Sequence, residues 1–138
     1  MWDAFASAVV RVELADGPVV LAPRADGAGE FPFDEPVHII TAYNPAGIET
    51  DGATNQRRHD EFGRRLASHS VVETTGSAPD GSMAEPGYAV LHISLDEALE
   101  LGREFGQRAI YRWTAESLTI IGVDEPDRRD LGWSLAPA

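Results

Sequence analysis

Residues 37–47 read Val-His-Ile-Ile-Thr-Ala-Tyr-Asn-Pro-Ala-Gly, and no other stretch restricts the fold as strongly. Val37, Ile39, Thr41 and Tyr43 fall on one face of an extended segment, with His38, Ile40 and Ala42 on the other. Both faces are mostly apolar, the pattern of a strand covered on both sides. Pro45 cannot donate to a ladder and disfavours helix at Asn44, so a strand over 37–43 must stop there. The rest of the chain has to supply two layers of cover.

The flanking segments suggest how. Residues 9–14 and 18–22 are β-rich and meet at Ala15-Asp16-Gly17, which reads as a hairpin with Trp2 and Phe5 packed against it. Residues 23–36, rich in Gly, Pro and Asp, read as a loop. After the central strand, Thr54 reads as the N-cap of a helix running to about Ser68. Its inward stripe is Asn55, His59, Phe62 and Leu66, with Arg58 beside it. A short strand at 71–74, a loop at 75–87 and a strand at 88–93 follow. Ser94 and Glu97 form a capping box for a helix that buries Leu95, Ala98, Leu99, Gly102 and Phe105 and stops at Gly106. Strands at 109–113 and 118–123 come next, and 124–138 reads as a surface tail with Trp133 docked back.

The order from the central strand is β-α-β-β-α-β. It predicts an α+β domain with a ferredoxin-like split β-α-β core, an added N-terminal β-hairpin and a C-terminal strand. Both helices should lie on one sheet face. A length of 138 residues suits a single domain, 1–138.

Charge narrows the function classes. The net charge is −12, and all 11 basic residues are arginine. General nucleic-acid binding is not expected. An acidic surface for a basic protein partner is one possible use of that charge. Residues 57–69 alone are positive, at +2, while 1–56 and 70–138 carry −7 each. No apolar run approaches the roughly 20 residues of a membrane span. The first residues show no secretion signal, so a cytoplasmic location is expected. Cysteine is absent, which removes disulfide and thiolate chemistry.

Four pieces carry a resemblance. Ile40-Thr41-Ala42-Tyr43-Asn44-Pro45 is followed by Asn55-x-x-Arg58; Glu85-Pro86 precedes a strand; and Phe105-Gly106-Gln107-x-Ala109 closes the second helix. Together, over about residues 36–112, they resemble a bacterial family known as domain of unknown function 3293. The resemblance implies no activity, cofactor or substrate.

Function therefore has to be sought in residues. Thr41, Asn44, Asn55, Arg58, Glu85 and Gln107 form one candidate ligand-binding constellation. A helix N-terminus favours an anion, and Arg58 adds a two-pronged donor for carboxylate or phosphate. The structural alternative has Asn44 tying the turn, Arg58 paired with Glu85 and Gln107 capping a helix end. Four histidines (His38, His59, His69, His92) lack the spacing of a metal motif, so neither metal nor cofactor is expected. His92 as a base with Glu85 would make the same crevice an acid–base site. Ser94 reads as a cap rather than a nucleophile. The expected function is binding of an anionic small molecule, nucleotide-like or a carboxylate metabolite, at the end of the central strand. The alternatives are an enzyme using Glu85 or His92 and an acidic protein-interaction module.

Overall fold

A computed structural model describes residues 3–25, 29–125 and 127–138, so Trp2 lies outside the described residues. A short helix α1 (Asp3–Ser7) precedes the hairpin β1 (Val9–Leu14) and β2 (Gly17–Arg24). Then come β3 (Val37–Thr41), a 3-10 turn (Pro45–Gly47), α2 (Gly52–Arg65), β4 (Val71–Ser77) and β5 (Glu85–Val90). α3 (Leu95–Glu104), β6 (Ala109–Trp113), β7 (Leu118–Gly122) and β8 (Arg128–Pro137) complete the chain.

The strands form a closed barrel in the order β1-β2-β8-β7-β6-β3-β5-β4, with every neighbouring pair antiparallel. This overturns the ferredoxin-like α+β fold expected from the element order. Two segments account for the difference. The strand at 71 runs to Ser77 instead of 74, and its outer half gives β1 a partner, from Val9↔Ser77 to Val12↔Thr74. The supposed tail contains β8, which lies between β2 and β7. Closure leaves no free sheet edge.

Alternation sorts the side chains into two cores. Inside the barrel lie Val10, Val12, Leu21, Val37, Ile39, Tyr111, Ile120 and Trp133. Phe31 and Phe33 pack edge-on against Trp113, which meets Trp133 at 5.4 Å, and these rings fill one end. At the other end Phe5 of α1 packs on Tyr111, whose hydroxyl donates to the Phe5 carbonyl at 2.6 Å. Outside, Ile40, Val90, Ile110 and Ile121 are covered by Phe62 of α2, by its C-cap Leu66, and by Ala98 and Leu101 of α3. β3 is thus covered on one face by the barrel interior and on the other by both helices.

Gly87 permits the close approach of β5 to β3, since a Cβ there would stand 2.5 Å from the Ile40 carbonyl oxygen. Among the described residues no helix is long and apolar enough to cross a membrane.

Trp133 fixes β8 to the barrel: it is 1% exposed, and its Nε1–H donates to the Thr114 carbonyl at 2.9 Å. Trp133→Ala should cost about 3–5 kcal/mol in denaturant unfolding. A loss below about 1 kcal/mol would mean that β8 is peripheral to the fold.

Candidate functional site

The site is built where β3 ends. Thr41 Oγ1 donates to the Pro86 carbonyl at 2.7 Å and accepts from the Tyr43 N–H at 3.1 Å, which turns the chain out of the ladder. Asn44 then adopts the left-handed conformation (φ 47°) rather than the extended one expected before proline. Ala46 follows at φ 58°. Such residues cost of order 1–3 kcal/mol each unless their surroundings hold them.

The holding groups are polar and mostly buried. Asn55 is 4% exposed. Its Oδ1 accepts from the Asn44 N–H at 2.9 Å, and its Nδ2 donates to Asn44 Oδ1 at 2.9 Å and to the Thr50 carbonyl at 3.1 Å. Thr50 N–H also donates to Asn44 Oδ1, at 3.0 Å, and Asn44 Nδ2 reaches Glu85 Oε1 at 3.2 Å. Arg58 Nε donates to the Ala42 carbonyl at 2.9 Å, and its Nη2 donates to the Phe105 carbonyl. Gln107 Nε2 donates to the Tyr43 carbonyl at 3.0 Å and to the Phe105 carbonyl at 3.3 Å. Gly106, at φ 70°, completes the corner: its carbonyl accepts from Ala46 N–H at 2.7 Å, and a Cβ would meet Pro45 at 3.0 Å.

Thr41, Asn44, Asn55, Arg58, Glu85 and Gln107 therefore do come together. They tie the end of β3 to α2, to β5 and to the exit of α3. Arg58 is not paired with Glu85: among the described residues no carboxylate lies within 4.0 Å of its guanidinium. Two backbone carbonyls orient it, and its charge is left without a counter-ion.

The start of α2 differs from expectation. The N-cap is Asp51, not Thr54, and its carboxylate accepts from the Thr54 N–H at 2.9 Å and the Thr54 hydroxyl at 2.8 Å. Those bonds hold the Asp51 carboxyl below its ordinary value. A carboxylate of the chain itself thus occupies the helix N-terminus, so any anion here must depend on Arg58.

Glu85 and His92 do not share a crevice. Glu85 opens β5, in the inward-facing row with Gly87 and Ala89, whereas His92 lies beyond the other end of that strand. His92 Nδ1 is 2.7 Å from Glu35 Oε1. Burial pushes the Glu85 carboxyl above its ordinary value, against the lowering effect of the Asn44 amide. Burial also raises the Tyr111 phenol, with a further contribution from the charge of Glu85.

His38 is buried and contacts Arg112 Nη1 through Nε2 at 2.8 Å. His59 stacks on Tyr88, and among the described residues no cluster suited to a metal ion is present. Ser94 is a cap, accepting from the Glu97 N–H. Sequence reasoning missed Asp51, although Asp51-x-x-Thr54 is itself a capping pattern. It also missed the His38–Arg112 pair, which exists only because β3 and β6 are neighbours in register.

Fold and site together define a closed antiparallel barrel whose mouth is bound to two outer helices by a polar clamp. The chain belongs to the family described as protein of unknown function (DUF3293), which matches residues 40–110, just over half of its length. No curated protein and no solved structure matches it significantly.

The raised Glu85 carboxyl has a measurable consequence. The fold favours its protonated form, so stability is fully present below the unfolded carboxylate range and falls as pH rises through the folded value. Glu85→Gln keeps an acceptor for Asn44 and removes the charge. Urea unfolding should find this variant more stable than wild type near neutral pH, with the gain vanishing below about pH 4. A variant less stable near neutral pH would show that the ionised carboxylate supports the fold.

Proposed function

We propose that the protein binds an anionic small molecule, nucleotide-like or a carboxylate metabolite, at the carboxyl end of β3, with Arg58 as the receptor group. The observation that carries this reading is the uncompensated Arg58 guanidinium. Carbonyls of Ala42 and Phe105 fix its plane, and no carboxylate among the described residues neutralises it. In a chain of net charge −12, a half-buried arginine without a carboxylate partner has its charge available for a ligand. Arginine presents five donors in a planar fork, and two of its nitrogens serve the backbone here, which leaves an edge for carboxylate or phosphate.

A second reading makes the same region an acid–base centre, and Glu85 favours it. This carboxyl is raised by burial, has no basic partner within 4.0 Å among the described residues, and uses one oxygen on Asn44. A general acid or base needs such a displaced value. His92 has no part in this reading.

Melting-temperature measurements with pyrophosphate and citrate test the first reading. Both should stabilise wild type by mass action, and the effect should shrink with added salt. Arg58→Gln retains an amide donor for the backbone carbonyls and should lose the response. Absence of any response in wild type, or an equal response in the variant, would contradict the assignment to Arg58.

A further inference from the structure

A second set of uncompensated arginines lies at the opposite end of β3. An open groove of about 380 Å³ runs between the start of α3 and the outer faces of β6 and β8. Its volume falls at the lower end of the roughly 300–1,000 Å³ typical of small-molecule sites. Pro36, Ile93 and Leu95 give it an apolar lining, Arg112 and Arg128 supply two positive charges, and Glu35, which also lines it, has a carboxylate oxygen 2.7 Å from His92 Nδ1.

Arg112 is positioned from beneath. An arginine only donates, so its Nη1 contact of 2.8 Å requires His38 Nε2 to accept, and therefore a neutral ring. Burial, assisted by the Arg112 charge, lowers His38 to about 4, in keeping with that role. Arg112 is thus held in place without being neutralised. The carboxylates around it are occupied elsewhere: Glu35 contacts His92 at 2.7 Å, and Asp130 accepts from Thr119 at 2.7 Å. Among the described residues none lies within 4.0 Å of the guanidinium of Arg112 or Arg128. The N-terminus of α3 is already filled by its own capping box, so the attraction rests on the two arginines.

We propose that this groove is a second binding site, which takes a small carboxylate bearing an apolar body. The carboxylate would lie between Arg112 and Arg128, and the body would lie on Pro36, Ile93 and Leu95. The site is independent of Arg58.

The test is a residue-resolved NMR titration of the whole chain with phenylacetate. Acetate, benzyl alcohol and inorganic phosphate serve as comparison probes. Phenylacetate should shift the amides of Ile93, Ser94 and Leu95 saturably and more weakly at high salt. Acetate lacks the body and benzyl alcohol the charge, so each should bind about tenfold more weakly. Arg112→Gln, which keeps a donor for His38, and Arg128→Gln should each weaken phenylacetate by about the same factor. Arg64→Gln, on the exposed face of α2, should leave it unchanged. The proposal is overturned if phenylacetate gives no saturable shift there or if the arginine variants bind it as well as wild type. It is also overturned if benzyl alcohol or phosphate binds as tightly as phenylacetate.

Discussion

Closure of the sheet is the constraint on which the rest of the molecule depends. β1 reaches β4 through four residue pairs and β2 reaches β8 through six, and these two ladders turn a row of strands into a barrel. Each ladder gives strand backbone a partner that would otherwise be an exposed edge. Closure also creates the interior in which Trp133, Trp113 and Tyr111 are buried. Only then does β3 have apolar cover on both faces, which its sequence requires.

The polar clamp at the end of β3 depends on that frame. Asn44 and Ala46 sit in left-handed conformations that are costly for residues other than glycine. Five hydrogen bonds at Asn44, three of them with Asn55 or Thr50, offset the cost at its own position. Most polar groups in the clamp are consumed in holding the backbone. Two ionisable groups keep free capacity, Arg58 at its outer edge and Glu85 at its second oxygen. They differ in chemistry: one carries a positive charge with no carboxylate within 4.0 Å among the described residues, while the other is a carboxyl that burial holds above its ordinary value. A fold stabilised by Glu85→Gln would imply that the acid is retained for a reason other than stability.

Much of the local structure was legible in the sequence. The apolar run before Asn44-Pro45, the Ala15-Asp16-Gly17 turn and the Ser94–Glu97 capping box all mark elements that form. The clamp residues could be grouped because Asn55 and Arg58 share a helix face that meets the end of the preceding strand. The barrel could not be read in this way. Its closing ladders join segments far apart in the chain, and β8 begins with Arg128-Arg129-Asp130, which masks the inward alternation of Leu131, Trp133 and Leu135. The strands β1, β2 and β8, and all of β7, also lie outside the family-matched residues 40–110. The pairing of Arg58 with Glu85 does not form, because the partners of Arg58 are backbone carbonyls, which have no sequence signature.

The side-chain Nε–H signal of Arg58, followed by NMR during a pyrophosphate titration, examines the receptor role without altering the protein. With Nε bonded to the Ala42 carbonyl, the signal should be resolved and slow to exchange in the free protein. On adding pyrophosphate it should move saturably, together with the amides of residues 44–47 and 105–107. A signal that stays in place at saturating pyrophosphate would leave Arg58 as a backbone strut and remove the anion site from the end of β3.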